Sequence, residues 1–313
     1  MPFVVKYTRS KMKIPPSIQI SCINFTNFKR KSDRVGHTDH FPVLGIQEFS
    51  ENQLQGCHLL FNELHGERSI DEPHKHDFFI INLFEYGKGS HTIDFTEYEV
   101  GNSQIHLVFP DQVHQWMIEE ETVGYQLMIS RDWFESFLPS LRFSASYYQN
   151  HPVINLSQEA FEIFRYEFQA IQKEIGGENI FWEVVQKRSE LIGLLVSKSV
   201  EGAFKDFERY HSNPIISKFL QLIDEHFKTE RSVSFYADKL SISANYLNIV
   251  CKKNLNASAS SLIQDRILLE AKRLLKVSEM SVKDIVYDLG FYDHASFSKF
   301  FKAQTGMTPS QFK

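Results

Sequence analysis

The sequence predicts a two-domain α+β protein, with an N-terminal β-barrel followed by two helices and a C-terminal all-α domain that contains two helix-turn-helix units. Three observations support this prediction. Short alternating apolar runs separated by Gly, Asp and Asn fill residues 41–130, a pattern typical of a sandwich or barrel. Apolar residues recur at helical spacing over 157–200. The last hundred residues repeat one pattern, a short helix, a turn and a second helix.

The N-terminal region divides into an arm and a barrel. Residues 1–40 show little apolar periodicity and contain Pro15-Pro16 and a basic run, so they are predicted to form an irregular arm. Residues 41–150 are predicted to form the barrel. Its candidate strands are the apolar runs 57–61, 78–84, 91–95, 105–109 and 125–129.

Residues 151–204 are predicted to form a helical pair and a linker. The first helix carries an apolar stripe of Phe161, Phe164, Phe168, Ile171 and Ile175. After the Gly176-Gly177 break, the predicted stripe of the second helix is Phe181, Val184, Arg188, Leu191 and Leu195. These stripes either pack on the barrel or form the seam of a homodimer. The last domain is predicted over residues 205–313. Its first helix is expected to begin at Asn213-Pro214, where Asn213 is the N-cap and Pro214 is the first helical position.

Composition excludes several classes of protein. Cys22, Cys57 and Cys251 lie far apart and form no CxxC pair, which fits a reducing cytoplasm. No run of 18 apolar residues is present, so no membrane association is expected. The sequence contains no P-loop, GxGxxG, HExxH or GxSxG motif, and we therefore do not expect an enzyme.

Charge is distributed unevenly along the chain. The net charge is −5, but residues 211–313 hold 14 Lys/Arg against 10 Asp/Glu, whereas the remainder holds 20 against 29. An acidic front and a mildly basic back suit a sensor joined to a domain that contacts DNA.

The duplication in the C-terminal region is the most informative feature of the sequence. Residues 297–308 align without gaps on residues 247–258, with lysine at both 252 and 302. The alignment pairs Asn256 with Gly306, two residue types that tolerate the left-handed conformation closing a helix. A short apolar helix is predicted before each copy, over 233–240 and 282–289. This geometry places a helix in a major groove, so the expected partner is double-stranded DNA.

The motif from Gly290 to Phe312 resembles the signature of the AraC/XylS family of bacterial transcription regulators. It has the order glycine-aromatic, aspartate, phenylalanine, Phe-Lys, glycine, proline, aromatic. Residues 237–247 and 266–275 are similar to the family's first motif and connecting helix. The resemblance implies a one-component regulator, more often an activator than a repressor, that contacts RNA polymerase if it activates. A dimer is favoured because one such module buries limited DNA.

The resemblance and the helix positions together predict the residues that contact DNA. Asn pairs well with adenine, and lysines suit the phosphate backbone. Ile249 stands where the family usually carries arginine, and Cys251 replaces a common aromatic, so the first unit is expected to read thymine methyl groups or to bind weakly. The predicted contacts are Ala244, Asn245, Asn248, Lys252, Lys253, His294, Ala295, Ser298, Lys299 and Lys302.

The stretch from Pro73 to His114 looks like the cupin-type barrel found ahead of AraC-type DNA-binding domains. Strand alternation predicts that His74, His76, Phe78 and Ile80 share one face of a single strand. The resemblance adds His114, so a ligand pocket for an unidentified small-molecule effector is expected at these five residues. No cofactor is expected. The alternative is a divalent metal on His74, His76 and His114, although the glutamate of metal-binding cupins falls near Ile80, which cannot ligate. The histidines interpreted as structural are His58, His65 and His106.

Two other functions remain open at this stage. One is a non-enzymatic protein-interaction module that acts through the 157–200 helices and has degenerate DNA binding. The other is a metal-dependent cupin enzyme, which the incomplete ligand set disfavours.

Overall fold

The structure is a computed structural model, and it describes residues 43, 44, 46, 58–138, 141, 143, 145–203 and 213–313. The predicted arm, residues 1–40, lies outside the described residues. The described part comprises a β-rich N-terminal domain and an all-helical C-terminal domain. The predicted α+β two-domain fold class is therefore confirmed.

Two five-stranded sheets form the N-terminal domain, in the orders β1-β3-β8-β5-β6 and β10-β7-β4-β9-β2. The first is called sheet A and the second sheet B. Pairing is antiparallel throughout except between β1 and β3. The strands are β1 (Val43–Leu44), β2 (Leu59–His65), β3 (Arg68–His76), β4 (Phe79–Tyr86), β5 (Gly89–Ile93), β6 (Thr96–Glu99), β7 (Gln104–Val108), β8 (His114–Ile118), β9 (Val123–Ile129) and β10 (Val153–Asn155).

The barrel interior is layered. In β4, Ile80 belongs to one apolar cluster and Phe84 to another, and Asn82 lies between them. Strand β2 repeats this order with Leu60, then Asn62, then Leu64. Because alternate residues of a strand share a face, the interior has a polar middle layer between two apolar layers. The middle layer contains Asn62, Asn82, His91, His106 and Gln126.

Four helices belong to the described part of this half of the chain. Helices α1 (Arg131–Phe137) and α2 (Ala145–Asn150) lie between β9 and β10, and α3 (Gln158–Ile175) and α4 (Trp182–Ala203) follow β10. Helices α3 and α4 cover the outer face of sheet B, where Phe164 and Phe168 pack against strand residues such as Ile81. This cover buries both faces of β4 at its first six positions. The predicted apolar stripe of α3 is confirmed.

The predicted stripe of α4 does not pack on the barrel. Phe181 is 64% exposed and Leu191 is 40% exposed. The buried face contains Val185, Ile192, Val196 and Val200, one residue further along each turn. Apolar side chains lie on both faces of this helix, so spacing alone could not identify the face that meets the barrel.

Two further predictions about the barrel need correction. The boundary at residue 150 is too early, since β10 pairs with β7 through Ile154 and Ile105. The histidines and Ile80 do not lie on one strand either. The chain turns at residues 77–78, so His76 ends β3 in sheet A and Ile80 belongs to β4 in sheet B. Both side chains still face the interior, from opposite sheets.

The C-terminal domain has seven helices in the described residues. Asn213 caps α5 with Pro214 at its first position, as predicted. Helices α6 and α7 form the first helix-turn-helix unit, α9 and α10 form the second, and α8 connects them. The bounds are α5 (Pro214–His226), α6 (Val233–Lys239), α7 (Ala244–Leu255), α8 (Ala259–Val277), α9 (Val282–Asp288), α10 (His294–Thr305) and α11 (Pro309–Phe312).

The turn between α9 and α10 depends on Gly290. Its φ is +69°, and an added Cβ would lie 2.2 Å from the carbonyl oxygen of Lys228. Glycine satisfies both the left-handed conformation and the close backbone approach. Among the helices in the described part of the chain, none combines the length and apolar character needed to cross a membrane.

Candidate DNA interface and ligand-binding site

The two helix-turn-helix units are built alike. Ser243 caps α7 and Asp293 caps α10, each accepting from the backbone N–H three residues on. The two helices end at Asn256 and Gly306, whose φ values are +53° and +78°. The prediction that these residues close the helices in the left-handed conformation is confirmed.

One hydrophobic core joins both units. Leu247 of α7 and Phe297 and Phe301 of α10 are fully buried in the same cluster as Ile263 and Ile267 of α8. Packing against a shared connecting helix fixes the angle between the two recognition helices. The domain therefore presents α7 and α10 as one rigid pair.

Most of the predicted DNA contacts lie on the open surface of α7 and α10. Ala244, Asn248 and Ser298 are half-buried. Tyr246 and Ile249 of α7 are about half exposed, at 47% and 52%. Tyr246 was not among the predicted contacts. The exposed predicted contacts are Asn245, Lys252, Lys253, His294, Ala295, Lys299 and Lys302.

The side chain of Asn248 is engaged inside the domain. Its Oδ1 accepts from the backbone N–H of Ala259 at 3.0 Å, and its Nδ2 donates to the carbonyl oxygen of Ala244 at 3.3 Å. The equivalent pair in the second unit is Ser298 and Pro309. Proline has no N–H, so no acceptor is needed there, and Ser298 instead contacts His294 Nδ1 at 3.3 Å. Asn248 thus holds α7 to the start of α8.

The predicted ligand-pocket histidines belong to a longer chain of imidazoles. His76 Nδ1 meets the carbonyl oxygen of Phe78 at 2.8 Å, and His76 Nε2 meets His114 Nε2 at 3.1 Å. His114 Nδ1 meets His91 Nε2 at 3.0 Å, and His91 Nδ1 meets His106 Nδ1 at 3.0 Å. Phe78 also stacks on His76 with ring centroids 4.1 Å apart.

Sequence reasoning missed His91 and assigned His106 an isolated structural role. The register pairs His91 with Trp116 in sheet A and His106 with Asn82 in sheet B. Their rings stack across the interior at a centroid distance of 5.3 Å. Because they lie on different sheets, linear spacing could not bring them together. Strand alternation within β5 and β7 was the available signal.

Burial controls the protonation of these histidines. Loss of solvation lowers the pKa of His76 and of His106 to about 3. The same cause, with neighbouring histidines adding repulsion, lowers the pKa of His91 and His114 well below the usual value. The imidazole chain is therefore neutral at pH 7 in the protein alone.

The histidine arrangement does not fit a metal ion. His76 and His114 point ring nitrogens directly at each other, while His74 turns its Nδ1 to the carbonyl oxygen of Glu72 at 3.2 Å. Within the described residues, no group of three or more His, Cys, Asp or Glu side chains has an arrangement that could hold a metal. The geometry instead is that of hydrogen-bonded imidazoles.

Comparisons with known proteins agree with both domains. The family description "AraC-like ligand binding domain" matches residues 60–176, and "Helix-turn-helix domain" matches residues 236–313. The chain belongs to the AraC family. This AraC-family protein is a sequence-specific DNA-binding transcription regulator with an N-terminal domain for a small-molecule ligand, and the expected family and function are confirmed.

Individual relatives resemble this AraC-family regulator over most of its length. It is 26% identical over 257 residues to "HTH-type transcriptional activator RhaS" of Citrobacter koseri, covering 79% of this chain and 88% of that protein. It is 24% identical over 251 residues to the protein of the same name in Escherichia coli O81, covering 77% and 86%. A crystal structure of ToxT from Vibrio cholerae O395 has 16% identity and a TM-score of 0.42, covering 82% of this chain and 96% of that one.

We expect Asn248→Ala to destabilise the AraC-family domain rather than to change base preference alone. The substitution leaves the Ala259 N–H without its acceptor, and loss of such a cap costs about 1–2 kcal/mol. Urea unfolding measures the change. Asn245→Ala, at an exposed position of the same helix, is the matched control and is expected to alter DNA affinity with little effect on stability. Equal stability of the two variants would contradict the structural role of Asn248.

The barrel is expected to lose stability as the pH falls from about 6.5 towards 3. The folded-state pKa values of His76 and His106 lie below the unfolded value of 6.5, so the unfolded state binds more protons in this window. Each such histidine lowers the free energy of unfolding by about 1.4 kcal/mol for every unit by which the pH falls within this window. Thermal unfolding across this range measures the slope. His106→Gln should reduce it, whereas His65→Gln, at an exposed site, should not; an unchanged melting temperature between pH 6.5 and 4 would refute the expectation.

Proposed function

We propose that this regulator is a homodimeric activator whose barrel, on binding an effector, alters the seating of the DNA-binding domain through one buried ion pair. The main observation that supports this proposal is the contact between Arg273 of α8 and Asp94 of the β5–β6 turn. Arg273 Nε donates to Asp94 Oδ1 at 2.8 Å and its NH2 group donates to Oδ2 at 2.5 Å. Arg273 is 3% exposed. Two parallel charge-assisted bonds give this contact a defined direction as well as strength.

Asp94 is also tied to the barrel interior. Gln112 Nε2 donates to Asp94 Oδ2 at 2.6 Å, and the Val113 N–H donates to Oδ1 at 3.3 Å. The next residue along the chain is His114, which pairs with Ile93 across β5 and β8. A shift of the imidazole chain therefore reaches the carboxylate through one peptide unit. An effector changes the seating to the extent that it binds one arrangement better.

A second contact supports the same seating. Phe95, next to Asp94, meets the ring of Phe312 edge-on at a centroid distance of 5.8 Å. Phe312 belongs to α11 at the end of the second helix-turn-helix unit. The contacts lie on α8 and α11, away from the exposed residues of α7 and α10. We infer that the barrel sets the orientation of the DNA-binding domain instead of covering its recognition helices.

The dimer surface in this proposal is the outer face of α3 and α4. Ile163 and Tyr166 of α3 and Leu191 and Leu194 of α4 are 40–63% exposed. A groove of about 370 Å³ adjoins them and includes Leu195. Exposed apolar side chains concentrated on one face are typical of an interaction site. The α4 face that fails to meet the barrel thus becomes the candidate seam between two copies.

We further propose that the protein works in the cytoplasm without a cofactor, a metal or a catalytic activity. Support comes from the family, whose members regulate transcription, and from an interior where imidazoles bond to one another. Contact with RNA polymerase follows if the sign of regulation is activation. The relatives named as activators support that sign.

The two recognition helices are expected to enter major-groove segments about 10 base pairs apart. Selection from a random duplex pool at fixed salt should enrich a motif with two such elements. Lys299→Ala and Lys302→Ala should each weaken binding to it and lower the magnitude of the salt slope by about one, because each removes a phosphate contact. Lys187→Ala, on α4, is the control. Salt slopes equal to that of the parent protein would exclude both lysines from the interface, and absence of any enriched motif would favour the protein-interaction module.

Asp94→Asn and Arg273→Gln are expected to change reporter output in the same direction. Each removes the charge of one partner and so breaks the ion pair, and the double variant should therefore resemble either single variant. Transcription from the selected operator measures the three outputs. Asp288→Asn, which disturbs the exposed pair with Lys228, is the control and should change little. Additive effects of the two substitutions would contradict coupling through this contact.

Leu191→Glu is expected to convert a dimer into a monomer because it places a charge in the proposed apolar seam. Analytical ultracentrifugation at micromolar concentration measures the state. Met117→Glu is the matched control, since Met117 is 55% exposed on sheet A. A dimer that survives Leu191→Glu would show that the copies associate elsewhere.

A further inference from the structure

The polar middle layer of the barrel carries a hydrogen-bond imbalance that identifies a class of ligand. The four buried imidazoles of His76, His114, His91 and His106 form a chain with five contacts, counting the oxygen at each end. The first end is the carbonyl oxygen of Phe78. The other is Oε1 of Gln104, which lies 3.1 Å from His106 Nε2.

Five contacts need five hydrogens, and four neutral imidazoles supply four. Each neutral imidazole has one N–H and one lone pair. The three contacts between rings need one hydrogen each. Both terminal contacts meet an oxygen that only accepts, so each of them needs an imidazole N–H. One contact in the neutral chain is therefore left without a hydrogen.

The acceptor at the Gln104 end is fixed by its other bonds. Gln104 Oε1 also accepts from the Gly101 backbone N–H at 2.7 Å, and its Nε2 donates to Asn155 Oδ1 at 2.8 Å. Turning the amide over would place an NH2 group against the Gly101 N–H. The chain consequently gains its fifth hydrogen only by binding one more proton.

The same interior also contains two N–H donors that lack an acceptor in the described part of the chain. Trp116 Nε1 and Asn82 Nδ2 are buried and have no hydrogen-bond partner among the described residues. Trp116 is 4% exposed and Asn82 is 1% exposed. Strand register places Asn82 beside His106 and Trp116 beside His91. The two N–H groups therefore belong to the strand neighbours of the stacked His91 and His106, one on each sheet. An indole N–H can only donate, so the layer requires an acceptor.

The interior lacks its own counter-charge for an added proton. The titratable side chains that face it are the imidazoles and the half-buried Tyr98 of β6, while the middle-layer positions of β2, β4 and β9 carry amides. Two carboxylates adjoin the backbone of the strands that bear His114 and His76, and both form ion pairs elsewhere: Asp94 with Arg273, and Asp111 with Arg131 and Lys75. Burial keeps the pKa of each imidazole low, so proton uptake requires an anion.

We propose that the barrel interior binds a small carboxylate together with one proton from solution. The carboxylate oxygens accept from Trp116 Nε1 and Asn82 Nδ2, and the proton completes the imidazole chain as an imidazolium. The only bond formed is the N–H bond of the imidazolium, its proton comes from solution, and the bound pair is neutral overall. A neutral polyol would meet the two donors but would bring no charge to balance the fifth hydrogen. This inference rests on the proposed function only in taking the barrel as the effector site.

The test uses the full chain and pairs of acids and amides that differ in charge: formate and formamide, propanoate and propanamide, benzoate and benzamide. Thermal shift at constant ionic strength, with chloride as the reference salt, gives the ranking. We expect at least one acid to raise the melting temperature, more at pH 6 than at pH 8, with no effect of its amide. Calorimetry of that acid in phosphate and in Tris should show uptake of one proton. The affinity of the protein for that acid should fall up to tenfold for every unit by which the pH rises.

The matched variants are Trp116→Phe and Trp133→Phe. Trp116→Phe removes the indole N–H and keeps an aromatic wall, so acid affinity should fall roughly tenfold or more, as expected for a hydrogen bond to a charged group. Trp133, which packs outside the barrel against His58 and Trp182, should leave the affinity unchanged. Near-ultraviolet circular dichroism confirms folding of both variants.

Stabilisation by acids and amides alike, uptake of no proton, or no response to any acid would overturn the carboxylate assignment. These measurements contain no DNA. Selection of an operator by the same preparation would then leave the regulator proposal standing while the ligand class fails. If the protein binds an acid as expected but selects no operator, the ligand class stands and the regulator proposal fails.

Discussion

The bidentate ion pair between Arg273 and Asp94 connects the chemistry of the two domains. Moving a guanidinium and a carboxylate out of water is unfavourable unless they form an ion pair with each other. Removing one partner of such a buried pair typically lowers the free energy of unfolding by about 3–5 kcal/mol. Arg273 lies in α8, the helix shared by both helix-turn-helix units. The orientation of the whole DNA-binding domain therefore depends on where the β5–β6 turn holds Asp94, and that turn adjoins the strand bearing His91.

The polar middle layer of the barrel is a second set of buried polar groups in the same region. The apolar layers of the barrel could have continued through the middle of the interior, yet the middle layer contains amides and imidazoles. Buried polar groups in a low-dielectric interior stabilise a single arrangement when every member is paired and favour rearrangement when one is not. The imidazole chain, together with the two unpartnered N–H groups, places the unpaired members next to the strand that leads to Asp94. Ligand binding and domain seating thus share one polar network.

The duplicated units show how two copies of one motif diverge while keeping the same backbone. Ala259 presents an N–H at the start of α8, and Asn248 satisfies it. At the equivalent place Pro309 removes the N–H, which releases Ser298 from that role. The first unit consequently has fewer polar groups to offer to DNA, and its exposed surface includes Tyr246 and Ile249. The second unit displays His294 and Lys299, so the two copies are chemically unequal readers.

Local patterns in the sequence determined the fold class, the paired helix-turn-helix units and their caps, because caps, turns and apolar periodicity depend on near neighbours in the chain. Asp293, Gly306 and Asn213-Pro214 could all be placed this way. Sequence alone also predicted that His74, His76 and His114 face the interior. Tertiary structure decided what they meet, since His91 and His106 come from opposite sheets. It likewise decided which face of α4 is buried, what Asn248 binds and that Arg273 pairs with Asp94, 179 residues away. Such contacts depend on strand register and domain packing, which no short-range pattern encodes.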